Sequence, residues 1–207
     1  MQIGILALQG DFALHQIALN RLNIESVQIR KPSQLQVCDG LIIPGGESTT
    51  LIKLLRNINL IEPIREFARK RPIFGTCAGS ILLSTQILNH SMESLGLICA
   101  SIERNAYGRQ VDSFVNTLKL DLNGKVSNFE GIFIRAPKIR SVGPNVKVLG
   151  LTRGGLLAEE SIVLAENERI LIATFHPELT ENGLVHQYFI DKVLRLGDSQ
   201  RTPKRKE

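Results

Sequence analysis

The stretch PIFGTCAGSILL, residues 72–83, decides the fold. An apolar run ends in Phe-Gly-Thr, a cysteine follows, and apolar residues then return at helical spacing. That is a strand turning directly into a helix through Cys77. In open α/β sheets, ligands bind at the carboxyl ends of the strands, where Cys77 falls. Gly75 and Gly79 frame it, and Thr76 and Ala78 are its small neighbours. Small flanks permit a tight, strained turn that pushes the side chain outward, as in the G-x-S-x-G nucleophile elbow with cysteine in place of serine. The N–H of Ala78 then becomes a candidate oxyanion donor. The competing reading, a packing cysteine, is accepted for Cys38 and Cys99, which lie on apolar runs. No second Cys or His lies close enough in sequence to make Cys77 a metal ligand, and no metal is expected.

Outward from this elbow the pattern repeats. QIGILAL (2–8), SVQIR (26–30), DGLIIPGG (39–46) and RPIFGT (71–76) read as strands. Helical segments separate them: one capped by Asp11, STTLIKLLRNI capped by Ser48 or Thr49, IEPIREFARK (61–70) and AGSILLSTQIL (78–88). Alternation of this kind implies parallel pairing. The second half carries the short strands SFVNTLKLDL, GIFIRAP, VKVLGL, SIVLAE and RILIATF, the last two forming a hairpin turned at Glu166 to Glu168. An amphipathic helix closes the chain. The expected architecture is a three-layer α/β fold: a mostly parallel, doubly wound sheet, helices on both faces, and antiparallel strands in the C-terminal half. Residues 1–197 form a single domain, and the basic segment 198–207 is expected to be a disordered tail.

Composition narrows the function classes. With 43% hydrophobic and 22% charged residues the chain is an ordinary globular protein, and without Trp its core should be aliphatic. The net charge of +5 includes +2 from the tail, and no basic stripe interleaved with aromatics marks a nucleic-acid surface. Three cysteines without CxxC spacing imply a reducing, cytoplasmic setting and no disulfide framework. MQIGILALQGD has no basic n-region and its apolar run stops within one strand length, so neither a signal peptide nor a membrane anchor is expected there.

A nucleophilic cysteine needs a base, and the base needs an orienting partner. His15 and His186 on helical patterns, and His90 in a polar connector, read as surface or core residues. His176 follows the apolar strand RILIATF at its carboxyl end and opens the triplet His-Pro-Glu. Pro177 biases His176 toward extended geometry, in which Glu178 shares its side and can fix the ring's tautomer. PGGEST (44–49) places a Gly-Gly pair after a buried strand, where backbone N–H groups can approach a small polar ligand. It lacks the G-K-[ST] ending of a phosphate loop.

FGTCAG, PGGEST and FHPELT together resemble the class I glutamine amidotransferase family. LALQGD (6–11), ERNAYGRQVDSF (103–114), GIFIRAP (131–137) and ATFHPELT (173–180) resemble, more narrowly, its branch of glutaminase subunits of pyridoxal 5′-phosphate synthase. The resemblance implies hydrolysis of L-glutamine to L-glutamate and ammonia by a Cys77–His176–Glu178 triad, without cofactor. It implies glutamine contacts from Gly46, Glu47, Ser48, Arg104, Ile134 and Arg135, with Gly46 joining Ala78 at the oxyanion. It also implies a hetero-oligomer with a synthase subunit that receives the ammonia. Leu14 departs from the family, which often has Glu before the first-helix His. Other readings are a cysteine hydrolase or chaperone-like protein on a related fold, a non-catalytic scaffold, and a glutaminase serving another synthase.

Overall fold

The computed structural model describes residues 1–107, 113–153 and 160–201, with side chains to Asp198. Five parallel strands form its centre: β1 (Gln2–Leu6), β2 (Glu25–Ile29), β3 (Gly40–Ile43), β4 (Ile73–Thr76) and β12 (Ile170–Ala173), in the order β2-β1-β3-β4-β12. β3, β4 and β12 are buried at every residue, as expected for parallel strands covered on both faces. Successive side chains alternate between two cores. Leu41, Ile43, Ile73, Ile170 and Ile172 join one, under α2 (Ser48–Asn57), α3 (Ile61–Ala68) and α4 (Ala78–Leu83). Ile42, Phe74, Leu171 and Ala173 join the other, under α1 (Phe12–Arg21) and α5 (Leu184–Arg201). The first core is nearly all aliphatic, as expected. The second is not, since Phe74, Phe129, Phe133, Phe175 and Phe189 are all fully buried in it.

The sheet continues antiparallel through β11 (Ile162–Glu166), β10 (Lys147–Thr152), β7 (Ser113–Leu122) and β8 (Lys125–Ile134). The expected hairpin is present, with Glu166 opposite Leu171. The sequence reading missed β5 (Ser84–Ile87), β6 (Ile98–Glu103) and β9 (Lys138–Val142), which pair with one another beside β11. It carried α4 through residue 88, whereas the helix ends at Leu83 and Ser84 turns extended (ψ 152°) to pair with Ile98. A non-local strand partner overrides the weak helical spacing of STQI. Cys99 is exposed, contrary to expectation, because it takes the outward position of the alternating strand ICASIE; Cys38 is buried as expected. Helix α5 continues through Arg201, into the segment expected to be disordered, and 202–207 lie outside the described residues. Once a buried turn nucleates a helix, each further residue adds a backbone hydrogen bond without needing core contact. Among the described residues no helix is long and apolar enough to cross a membrane.

Candidate active site

The elbow is strained. Cys77 adopts φ 47°, ψ −107°, and of the described non-glycine residues with positive φ only Cys77 and Arg135 are not asparagine. Asparagine tolerates that region, whereas a cysteine or arginine held there needs surrounding structure to impose it. The imposing contacts are visible. The Cys77 N–H donates to Ala173 O (2.9 Å), the Ser80 hydroxyl donates to Cys77 O (2.6 Å), and Gly79 packs so closely on β3 that a Cβ there would sit 2.0 Å from Ile43 O. Ala78 opens helix α4, where a first-turn N–H has no partner within the helix. The thiol itself approaches Ile134 O at 3.9 Å.

His176 leaves β12 with its N–H donating to Ile132 O (2.9 Å), which ties it to β8. Its ring Nδ1 lies 2.8 Å from Glu178 Oε1, and both side chains are buried. The two groups meet as expected but by another local geometry: Pro177 begins a 3-10 turn, Pro177–Leu179, that brings Glu178 back under the ring. Burial works against charge on His176. The Cys77 side chain and the Glu178 carboxylate outweigh it and push the imidazole up to about 10. Burial likewise works against ionising Glu178, but His15 and the His176 hydrogen bond hold its carboxyl below the usual range. The elbow and the ring face each other across Gly45, where a Cβ would lie 2.6 Å from His176 Cε1 and 3.3 Å from Cys77 Cβ.

In front of this pair lies a cavity of about 200 Å³. Gly46, Glu47, Ser48, Cys77, Ala78, Arg104, Ile134, Arg135 and His176 all line it, so the structure gathers every site residue named from the sequence, with Glu178 directly behind His176. Asp11, Ile81 and Asn105 line it too and were not foreseen. Glu47 differs from expectation: its carboxylate, rather than Ser48 or Thr49, caps α2 by accepting from the N–H groups of Thr49 (3.2 Å) and Thr50 (2.6 Å). Burial opposes its ionisation, yet the Thr49 hydroxyl, which also donates to it, and these N–H groups pull it down to about 2. Glu47 also accepts from Arg104 (2.9 Å), whose backbone is held on both sides by Asn89 (3.0 and 2.7 Å). Asp11 stands at the N-cap of α1 but makes no side-chain cap bond. Arg109 and Asp112 lie outside the described residues.

His15 and His186, read from the sequence as ordinary surface or core residues, are both fully buried behind the site. His15 Nε2 lies 3.4 Å from Glu178 Oε2 and 3.2 Å from Thr76 Oγ1, and its Nδ1 lies 3.0 Å from His186 Nε2. No sequence periodicity marks them, since a helical histidine facing a core looks the same whatever it touches. Asp11, His176 and Glu178 are the one group among the described residues with metal-ligand spacing, their ligand atoms lying within 4.8 Å. The His176 Nδ1 is already committed to Glu178, so the set serves that pair better than an ion.

An elbow nucleophile, an imidazole and a buried carboxylate converging at the carboxyl rim of a parallel sheet is the constellation of triad hydrolases on α/β folds. Comparison with known proteins gives the family. The chain belongs to the SNO glutamine amidotransferase family, which it matches over residues 5–195. It is 48% identical, over 96% of its length and 98% of the relative's, to the pyridoxal 5′-phosphate synthase subunit PdxT of Pelotomaculum thermopropionicum. It is 45% identical to the protein of the same name from Thermosipho africanus, over 93% of this chain and 99% of that one. A crystal structure of a glutamine amidotransferase superposes with a TM-score of 0.83 at 42% identity, covering 92% of this chain and 98% of the other. The structure of PurLQS from Thermotoga maritima shares the fold alone, at TM-score 0.67 and 16% identity over 97% of this chain and 99% of the matched one.

Proposed function

We propose that the chain hydrolyses L-glutamine to L-glutamate and ammonia through Cys77, His176 and Glu178, and that the ammonia serves pyridoxal 5′-phosphate synthesis on a separate synthase subunit. The observation that carries this reading is the strained Cys77 elbow facing an imidazole whose Nδ1 is fixed by a buried carboxylate at 2.8 Å. The relatives' name and the family support the substrate and the pathway.

The sulfur attacks the side-chain amide carbon of glutamine, and the carbonyl π electrons move onto oxygen. The N–H groups of Ala78 and Gly46 receive that oxyanion. As the intermediate collapses, the C–N bond breaks and the imidazolium of His176 gives its proton to the leaving ammonia, which leaves a γ-glutamyl thioester. Water, deprotonated by the now neutral His176, attacks the thioester, and the sulfur departs. Gly46, Glu47, Ser48, Arg104, Ile134 and Arg135 hold the amino-acid end of the substrate. A cavity of about 200 Å³ suits one amino acid, being smaller than the ~300–1,000 Å³ of pockets for drug-sized ligands. Ammonia released to water at neutral pH is protonated and no longer nucleophilic, which favours direct transfer within a hetero-oligomer. Residues 1–197 act as one catalytic domain in the cytoplasm, needing no nucleic acid or membrane.

The test is glutamate release from glutamine by the full chain, with and without the synthase subunit, for wild type and Cys77→Ala. Wild type is active with the partner present, and the variant loses at least ~10⁴-fold in kcat. Equal rates in the two proteins would end the assignment.

A further inference from the structure

Behind the triad, away from the substrate cavity, the protein buries two more histidines whose ring nitrogens form a chain ending on Glu178. Resting on the glutaminase reading above, we infer that His15 is a positioning residue of the reaction: it holds the second oxygen of Glu178, so that the first stays on His176 Nδ1, and His186 fixes the tautomer in which His15 can do so.

Glu178 is buried, and its Oε1 is taken by His176. Its Oε2 has no hydrogen-bond partner among the described residues, and His15 Nε2 lies 3.4 Å from it, within ion-pairing distance. A buried carboxylate oxygen left without a donor is costly, so the hydrogen on that neighbour matters. Two tautomeric arrangements are conceivable. In one, His186 Nε2–H donates to His15 Nδ1, and His15 Nε2–H points at Thr76 Oγ1 and Glu178 Oε2. His186 Nδ1 is then a bare acceptor, and it is the His186 atom that is buried without a partner. In the other, every proton shifts by one position. His186 Nδ1 then carries a buried N–H with nothing to receive it, and His15 Nε2 turns a lone pair toward the carboxylate. The first arrangement satisfies more groups and removes that repulsion.

The surroundings agree. His15 is kept neutral, chiefly by burial and also by the charge on His176, against the pull of Glu178 and Asp11. Burial, with the help of His15, pushes His186 down to about 3. Neutral rings have one donor and one acceptor each, so the chain has a direction, and it points every proton at Glu178. The charged and titratable groups facing it are Asp11 at the start of α1, His15 on α1, His176 and Glu178 after β12, and His186 on α5; Thr76 at the end of β4 completes the shell. The carboxylate is thus gripped from both sides, by the catalytic ring and by a helix on the far layer.

The experiment measures kcat, KM and the pH profile of glutamate release by the full chain with its synthase partner. His15→Asn keeps a group at the Nδ1 position and loses the one facing Glu178. It lowers kcat about 10- to 100-fold, the usual effect of removing a partner that orients a working histidine, with KM within about twofold. It also moves the alkaline limb to lower pH, because a loosened Glu178 no longer supports the imidazolium. His15→Gln, whose amide nitrogen reaches the Nε2 position, recovers most of the rate. Wild-type kcat and pH limb in His15→Asn would overturn the inference. So would equal losses in both variants with equally lowered melting temperatures, which mark packing alone. A second pair guards against a misfolded His15 variant: His186→Leu, which frees the His15 tautomer, lowers kcat more than His186→Gln, which keeps a donor, and equal rates in that pair overturn the chain's direction. Residual activity in Cys77→Ala would instead bring down the triad itself, so the two failures are distinguishable.

Discussion

The two rims of the central sheet carry very different chemistry. At the carboxyl rim, around Cys77 and His176, polar groups are buried, the backbone is strained and ionisation is far from ordinary. At the opposite rim, where β12 begins, lies a larger cavity of about 580 Å³ bordered by Arg65, Arg69 and Arg169. There each guanidinium already meets a glutamate: Arg65 pairs with Glu62 and Glu93, Arg69 with Glu66 (3.1 Å) and Arg169 with Glu168 (2.8 Å). At the larger hollow each arginine is already paired with a glutamate, and at the smaller one the buried ionisable groups lean on one another, Glu178 on His176 and His15. What separates a site from a dent is therefore convergence of strained backbone with buried, mutually dependent ionisable groups, rather than volume.

The sharpest way to break this contrast is Glu178→Gln. It keeps the shape and removes the charge that supports the His176 imidazolium, and kcat for glutamate release falls by about 10³- to 10⁴-fold, as when a triad carboxylate is made an amide. A fall of less than tenfold would mean that the buried pair is structural. Stability against pH comes next. His186, held at about 3, refuses a proton that the unfolded chain accepts below its ordinary 6.5, and His15 acts in the same direction. Stability therefore drops as pH falls from about 6.5, each such histidine contributing at most ~1.4 kcal/mol per pH unit. His176 works on the other side: raised to about 10, its contribution is complete below pH 6.5 and is lost as pH climbs toward 10. Urea midpoints measured across pH show both limbs, and His186→Leu flattens the acid one; an unchanged acid limb would contradict the buried neutral ring. The smallest effect belongs to the other rim. Arg169→Ala, which breaks a partly buried pair with Glu168, changes stability by only about 1 kcal/mol and leaves glutaminase kinetics alone, which unfolding curves and rate measurements check together.

The sequence made one rim legible and left the layer behind it dark. Strands β1, β3, β4 and β12 could be read because they are short, almost wholly apolar and bounded by glycine, proline or charge, and the elbow and His-Pro-Glu follow β4 and β12. β5, β6 and β9 could not, since their pairing is non-local and STQI carries no strand signal strong enough to oppose the preceding helix. Glu47 was placed at the site, but its capping of α2 depends on a side chain curling back on the following turn. His15 and His186 were passed over because their meaning comes from Glu178, which approaches them only through the 3-10 turn after Pro177. Motifs record what the chain does along its own length; contacts made across layers leave no periodicity to read.

The position of β12, between β4 on one side and β11 on the other, also sets when the proposed triad can assemble. β4 and the elbow emerge from the ribosome long before the strand that delivers imidazole and carboxylate. In the proposed mechanism a nascent chain therefore holds the Cys77 thiol without its base beside an open, apolar strand edge, and insertion of β12 closes that edge and completes the triad together. Shortening the C-terminus past β12 would leave a sticky sheet rather than a slow enzyme.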